Sequence, residues 1–379
     1  MSEYQFYEFK AIDNPLSKKD KETISSWSSR TYASNTGATF EYHYGDFPKE
    51  ELKVVEKYFD AMFYVSNWGT RQLIFKFPND LIDIKKLMHY SVEGIELIEK
   101  EKFTILHIFI EDEEGGGNWI EGDGYLSSLI SLRADILSGD YRCLYLIWLK
   151  ITTEDVINEW ENVDPESEEI NVPSNLQSLN AALLDFVDIF EIDKDTIAAA
   201  SKNSIASLSE NNNDDYKEID SLSNDEKNDF LKRLLQNEAL LNIKLQKRLK
   251  ADKSKVSDTD KHNKRTIKEI VTSTLKIKDK RKNKEKQKRE EKRIAKLKEI
   301  EKDESNLWGQ VDFLIKQKNT KSYEEAIKIM QNLKMLSIYK NQNERFCRKI
   351  ENIKQDYKRL TGLIGRIDYA KLLKATSNN

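Results

Sequence analysis

The hydrophobic pattern of the first 160 residues is broken into short runs. Residues 4–12 (YQFYEFKAI), 39–44 (TFEYHY), 71–77 (RQLIFKF) and 104–111 (TILHIFIE) read as strands. In each, aromatic and β-branched side chains alternate or run together over strand length. Pro15 and the Ser17 segment open a helix predicted to reach Trp27. After Pro48, the apolar residues Leu52, Val55, Phe59 and Phe63 follow helical spacing. Residues 125–137 carry the stripe of an amphipathic helix ended by Gly139, and 141–150 (YRCLYLIWLK) fits either a last central strand or a buried helix. The mixture predicts an acidic α+β domain over residues 1–160, with helices on a mostly antiparallel sheet.

Beyond it the pattern turns helical. Residues 161–222 combine an acidic, proline-containing linker with short helices, and 209–216 (SENNNDDY) has the composition of a flexible joint. Ser223 and Glu226 match a capping box, and the helix they start is predicted to run to about Lys250. After an interruption at 251–264, a long helix begins near Thr266, so that 223–305 reads as long charged helical segments. Residues 306–379 are helical throughout, cut by NTKS (319–322) and KNQN (340–343), and predict a C-terminal helical hairpin domain.

Charge sharpens this division. The formal net charge of −4 divides into −25 over residues 1–230 and +21 over 231–379. That polarity can draw different partners to the two halves. The two cysteines, Cys143 and Cys347, stand alone, which fits a reducing, cytoplasmic setting. The first residues have neither the basic stretch nor the apolar core of a leader peptide. The longest apolar run, 143–149, is far shorter than the roughly 20 residues a spanning helix needs, so no membrane association is expected.

The most unusual stretch is 276–298. Between Lys278 and Arg293 it contains no apolar residue, so no coiled-coil seam can form there. Lys280, Lys284, Lys288, Lys292 and Lys296 make an unbroken i,i+4 ladder of one sign, joined by Arg281, Arg289 and Arg293. Each like-charged pair costs roughly 0.2–0.5 kcal/mol in an isolated helix. The ladder climbs about 6 Å per step, close to the spacing of phosphates along a strand, and a polyanion would remove the repulsion. Nothing in the pattern is arranged to read base edges. A solvated connector, a nucleic-acid contact and docking onto an acidic surface all remain open. For the last, the acidic glycine-rich loop 111–124 of the same chain is the internal candidate, and Glu285 and Glu290 are expected to pair with Lys288 or Arg289 and with Arg293.

Other chemistry is sparse. The acidic loop lacks the spacing of a calcium site. Glu41 and His43 share one face of a predicted strand near Asp46, but a metal would need His89 or His107 as well, and a structural histidine is the plainer reading. Cys143 lies in an apolar run, and Ser273 with Lys276 matches S-x-x-K without its companion motifs. Gly362 and Gly365 resemble a GXXG backbone clamp but read as a helix end. No catalytic residue, metal or cofactor is expected. An enzyme is the third reading, conditional on a polar pocket around Arg71, His43 and Asp46.

The first domain resembles an uncharacterised bacterial family of hypothetical proteins through 7–16 (YEFKAIDNPL), 28–30 (SSR), 42–47 (YHYGDF), 58–61 (YFDA), 67–71 (NWGTR) and 139–149 (GDYRCLYLIWL). The segment 307–333 is similar to the helical tail of that family and to the ends of some bacterial SWIM-type zinc-finger proteins. This sequence has no Cys/His set for such a finger, so no metal site carries over. The resemblance implies an intracellular bacterial protein working near nucleic acid, and provides no functional residues. The sequence as a whole is read first as a non-catalytic interaction or scaffold protein with protein partners. The second reading is a nucleic-acid-binding accessory protein without base specificity.

Overall fold

A computed structural model describes residues 4–111, 124–205, 219–251 and 264–373. The chain divides into two compact units, 1–278 and 279–379.

The first unit is built on seven strands: β1 (Gln5–Lys10), β2 (Thr31–Ala33), β3 (Gly37–Tyr42), β4 (Ala61–Ser66), β5 (Arg71–Pro78), β6 (Ile95–Glu99) and β7 (Phe103–Ile110). They lie in the order β2-β3-β1-β4-β5-β7-β6, with every pairing antiparallel. Side chains alternate between two faces, and both faces are covered. Phe6, Phe63, Phe75 and Leu106 point into one core, and Tyr7, Phe9, Phe40, Met62 and Ile74 into the other. Helices α1 (Lys18–Ser25) and α2 (Glu51–Tyr58) close the second face through Ile24, Val54 and Val55. Burial on both faces explains why β4 reads AMFYVS with no polar alternation.

That continuity also corrects one expectation. The helix predicted from Pro48 through Phe63 stops at Tyr58, and Phe59 is already extended at φ −132°. Phe63 belongs to the central strand β4, where its neighbours across the sheet are Glu8 and Leu73.

On the other face lie α3 (Ile84–Met88), α4 (Tyr125–Leu129), α5 (Ser131–Leu137), α6 (Arg142–Asn158), α7 (Ala181–Ile189) and α8 (Lys194–Ala200). The ambiguous run 141–150 is the start of α6, which continues to Asn158 and buries Cys143 to Leu149 without a break. A helix apolar all round belongs inside a core. Short helices of the 161–222 segment enter the same core through Phe186, Phe190 and Ile197, as do Ile267, Ile270 and Val271 from the first turns of a long helix.

The Ser223 capping box forms as predicted, but its helix ends at Leu235. Asn237 and Leu240 take left-handed φ values of 54° and 58°, and a second helix runs over Leu241–Ala251. Two residues in that region of backbone space turn the chain where the apolar pattern alone suggests continuity.

The second unit is helical. The long helix (Ile267–Lys302) enters it, followed by helices at Glu304–Lys316, Thr320–Tyr339, Asn343–Asp356 and Thr361–Tyr369. Val311, Ile315, Ala326, Met330, Ile350, Leu363 and Ile367 form its core.

Candidate functional site

The start of the long helix is fixed by charge as well as by apolar packing. The Arg265 guanidinium donates to both oxygens of Glu169 at 2.6 and 2.9 Å, and to the carbonyls of Ala199 and Ala200 at the end of α8. The Tyr145 hydroxyl donates to the same carboxylate. Glu169 is 3% exposed and Arg265 13%. Burial works against the charged guanidinium, but the Glu169 carboxylate outweighs it and holds the Arg265 pKa above its ordinary value. Thr266 and Glu269 then exchange backbone hydrogen bonds in a capping box at the first turn.

The middle of the helix is different. Every residue from 279 to 293 is exposed, fifteen in succession, with nine basic and four acidic side chains. The predicted contact residues Lys280, Arg281, Lys284, Lys288, Arg289, Lys292 and Arg293 all stand in this stretch, and Lys296 is exposed one turn beyond. Arg293 pairs with Glu290 at 3.2 Å as expected, whereas Glu285 turns back to Arg281 at 3.2 Å rather than to Lys288 or Arg289. All four of these side chains are about half exposed, and such pairs contribute little. None of the five ladder lysines has an ion pair among the described residues.

At about 100° per residue the basic side chains spread over an arc of roughly 240°. The line Asp279, Asn283, Gln287 and Glu290 occupies the remainder. The ladder itself turns about 40° per step and climbs about 24 Å in all, so it winds round the helix rather than running straight. Such a surface presents cations in several directions and offers no apolar seam to a second helix.

The other candidate residues are engaged separately. His43, just past the end of β3, touches Glu41 at 2.9 Å, and Asp46 accepts from Gln5. Arg71 is buried at 3% exposure and donates to Glu191 at 2.8 Å, a partner that sequence spacing could not reveal. The Nδ1 of His89 meets the carbonyl of Lys85, and His107 faces Gln72. Burial lowers the His107 pKa against the opposing pull of Glu96. Among the described residues no three His, Cys, Asp or Glu side chains gather as a metal site. Burial pushes the Cys143 thiol up, away from the reactive thiolate. Gly362 stands in the first turn of the final helix and Gly365 inside it, and Ser273 and Lys276 lie on the long helix. Of the acidic loop, residues 112–123 lie outside the described residues.

A cleft of about 50 Å³ in the second unit, lined among others by Trp308, Phe346, Lys340, Arg345 and Lys349, was not anticipated. Lys349 sits 4.1 Å from the centre of the Trp308 ring, and burial lowers its pKa. Lys340 is held by Glu301 at 3.0 Å and Glu304 at 3.5 Å. The i,i+4 pair Arg345 and Lys349 was the available sequence signal.

Among the described residues, no helix is long and apolar enough to cross a membrane. Comparisons with protein-family models, with curated proteins and with solved structures found no match.

Proposed function

We propose that this chain is a non-catalytic interaction protein whose basic helix contacts the phosphates of a polyanion, with nucleic acid as the partner class. The observation that carries this reading is the fifteen-residue exposed stretch with four of the ladder lysines, the fifth one turn beyond, none of which has an ion pair among the described residues. An all-polar helix of one dominant sign is stabilised by neutralisation, and each phosphate contact releases condensed counterions. The second unit as a whole has 27 basic and 15 acidic residues, a net charge of +12. Its field extends the attraction beyond the ladder and speeds association. Recognition of this kind positions a partner without reading its sequence.

The test is fluorescence anisotropy of the full chain with a labelled duplex, across a salt series. A variant with all five ladder lysines replaced by glutamine runs in parallel. Binding should weaken steeply with salt, and the logarithmic slope should fall by about 4–5 in the variant if each lysine meets one phosphate. Equal slopes for the two proteins would remove the helix from the interface.

A further inference from the structure

Of the exposed aromatic rings in the second unit, Phe313, Tyr339 and Tyr369, the first and last have no packing explanation. Phe313 is 64% exposed and Tyr369 is 90% exposed. Both are on helices, and in both cases the residue four positions earlier is a glycine: Gly309 before Phe313 and Gly365 before Tyr369. Neither glycine has a positive φ, and a Cβ built on either would meet nothing within 4 Å. Backbone conformation and close packing, the usual reasons for glycine, are therefore both absent, and glycine weakens a helix interior.

The shared geometry supplies a reason. A helical aromatic side chain leans toward the helix N-terminus and lies over positions i−3 and i−4. With no side chain at i−4, the ring keeps an uncovered face. The surroundings are polar: Gln310, Asp312 and Lys316 are exposed neighbours of Phe313 on its helix, and Gln317 follows as its cap. Beside Tyr369 stand Arg366, which donates to the Gly362 carbonyl at 3.0 Å and pairs with Glu324 at 3.5 Å, and Asp368, which pairs with Lys354 at 2.6 Å. A docking site for a folded protein centres on an apolar patch, which this is not. Flat rings on the polar surface of a unit of net charge +12 match the way bases are held when they are free to stack.

We propose that Phe313 and Tyr369 are stacking platforms for unpaired bases, so that the partner is a single-stranded nucleic acid. This rests on the polyanion reading of the basic helix, whose lysines belong to the same unit. Bases inside a duplex are stacked on each other and are not available to side chains on a helix surface. The single strand is therefore the form that uses both features.

The experiment measures anisotropy of the full chain with a labelled single-stranded oligonucleotide and with the duplex of the same sequence. Inorganic polyphosphate serves as a competitor without bases. The single strand should bind more tightly than the duplex and resist polyphosphate better. Phe313→Ala and Tyr369→Ala should each weaken single-strand binding about ten-fold, leaving duplex affinity and the salt slope unchanged. Gly309→Leu, which has open space and gains helix propensity, should fold like the parent and still lose single-strand affinity. Aromatic variants that bind the single strand like the parent, while the ladder variant binds nothing, would overturn the stacking inference and leave the polyanion reading standing. Single-strand binding that survives ladder replacement but falls in Phe313→Ala would overturn the helix reading alone.

Discussion

The long helix treats charge in two opposite ways along its length. At its start, Arg265 is locked into a buried bidentate pair with Glu169, and the Tyr145 hydroxyl and two helix-end carbonyls complete the set. The same device recurs in the first unit, where Arg133 grips Asp13 at 2.8 and 2.6 Å with 2% and 12% exposure. Asp60 takes Lys76 at 3.3 Å together with the backbone N–H groups of Ile12 and Asp13. Over residues 279–293 charge is left open to solvent, with one sign dominant, two half-exposed pairs, and the ladder lysines without ion pairs among the described residues. In the first region charge fixes structure, because a buried ion must be fully matched. In the second it adds nothing to the fold and subtracts from helix stability. The proposed polyanion contact would give charge kept in that arrangement its use.

The contrast can be broken first at its buried end. Arg265→Ala strands the Glu169 carboxylate, and urea denaturation should show the first unit destabilised by about 3–5 kcal/mol. Replacing Arg265 and Glu169 together with apolar residues should recover much of that loss, because the stranded charge is then gone. If the single variant unfolds at the parent's urea midpoint, the pair is not the anchor described.

The exposed end should respond in the other direction. Lys284→Glu combined with Lys292→Glu turns all four ladder repulsions into attractions. Lifting the repulsion alone is worth about 1–2 kcal/mol of helix stability. Circular dichroism during heating should report a gain in low salt that shrinks as salt screens it. A loss of helicity would show that the lysines already have partners.

A smaller effect separates burial from exposure within the sheet. Burial depresses the folded pKa of His107 below its ordinary value near 6.5. The unfolded chain therefore takes up a proton that the folded chain refuses until lower pH. This group's contribution to stability is intact above about pH 6.5 and is lost as pH falls through the folded value. Urea midpoints should drop between about pH 7.5 and about pH 5.5, and His107→Gln should flatten part of that drop. An unchanged pH profile in the variant would place the titration elsewhere.

The fold was legible where period and length agreed. The strands at 4–12, 71–77 and 104–111, the capping box at Ser223 and the long helix near Thr266 all follow from local pattern. It was hidden where burial on two faces erased the pattern. Residues 61–65 and 143–149 are both unbroken apolar runs, yet one is a strand and the other a helix, and only tertiary packing separates them. Strands β2 and β6 span three and five residues, too short to carry a period. The ladder was visible because helical spacing is local. The Arg265–Glu169 and Arg71–Glu191 pairs join residues about a hundred positions apart, and no local rule reaches that far. The two glycine–aromatic steps were present at i,i+4 but gained meaning only once their exposure was known.

The central claim is that residues 279–293 are an uncovered contact surface. Amide hydrogen exchange of the full chain, with and without a single-stranded oligonucleotide, tests it most directly. The free protein should exchange quickly over 279–293 and slowly in α6 and the central strands, since local opening follows the density of buried contacts. Adding the oligonucleotide should slow exchange along the basic helix and leave the sheet unchanged. Slow exchange over 279–293 in the free protein, or oligonucleotide protection that falls elsewhere and spares the helix, would contradict the account.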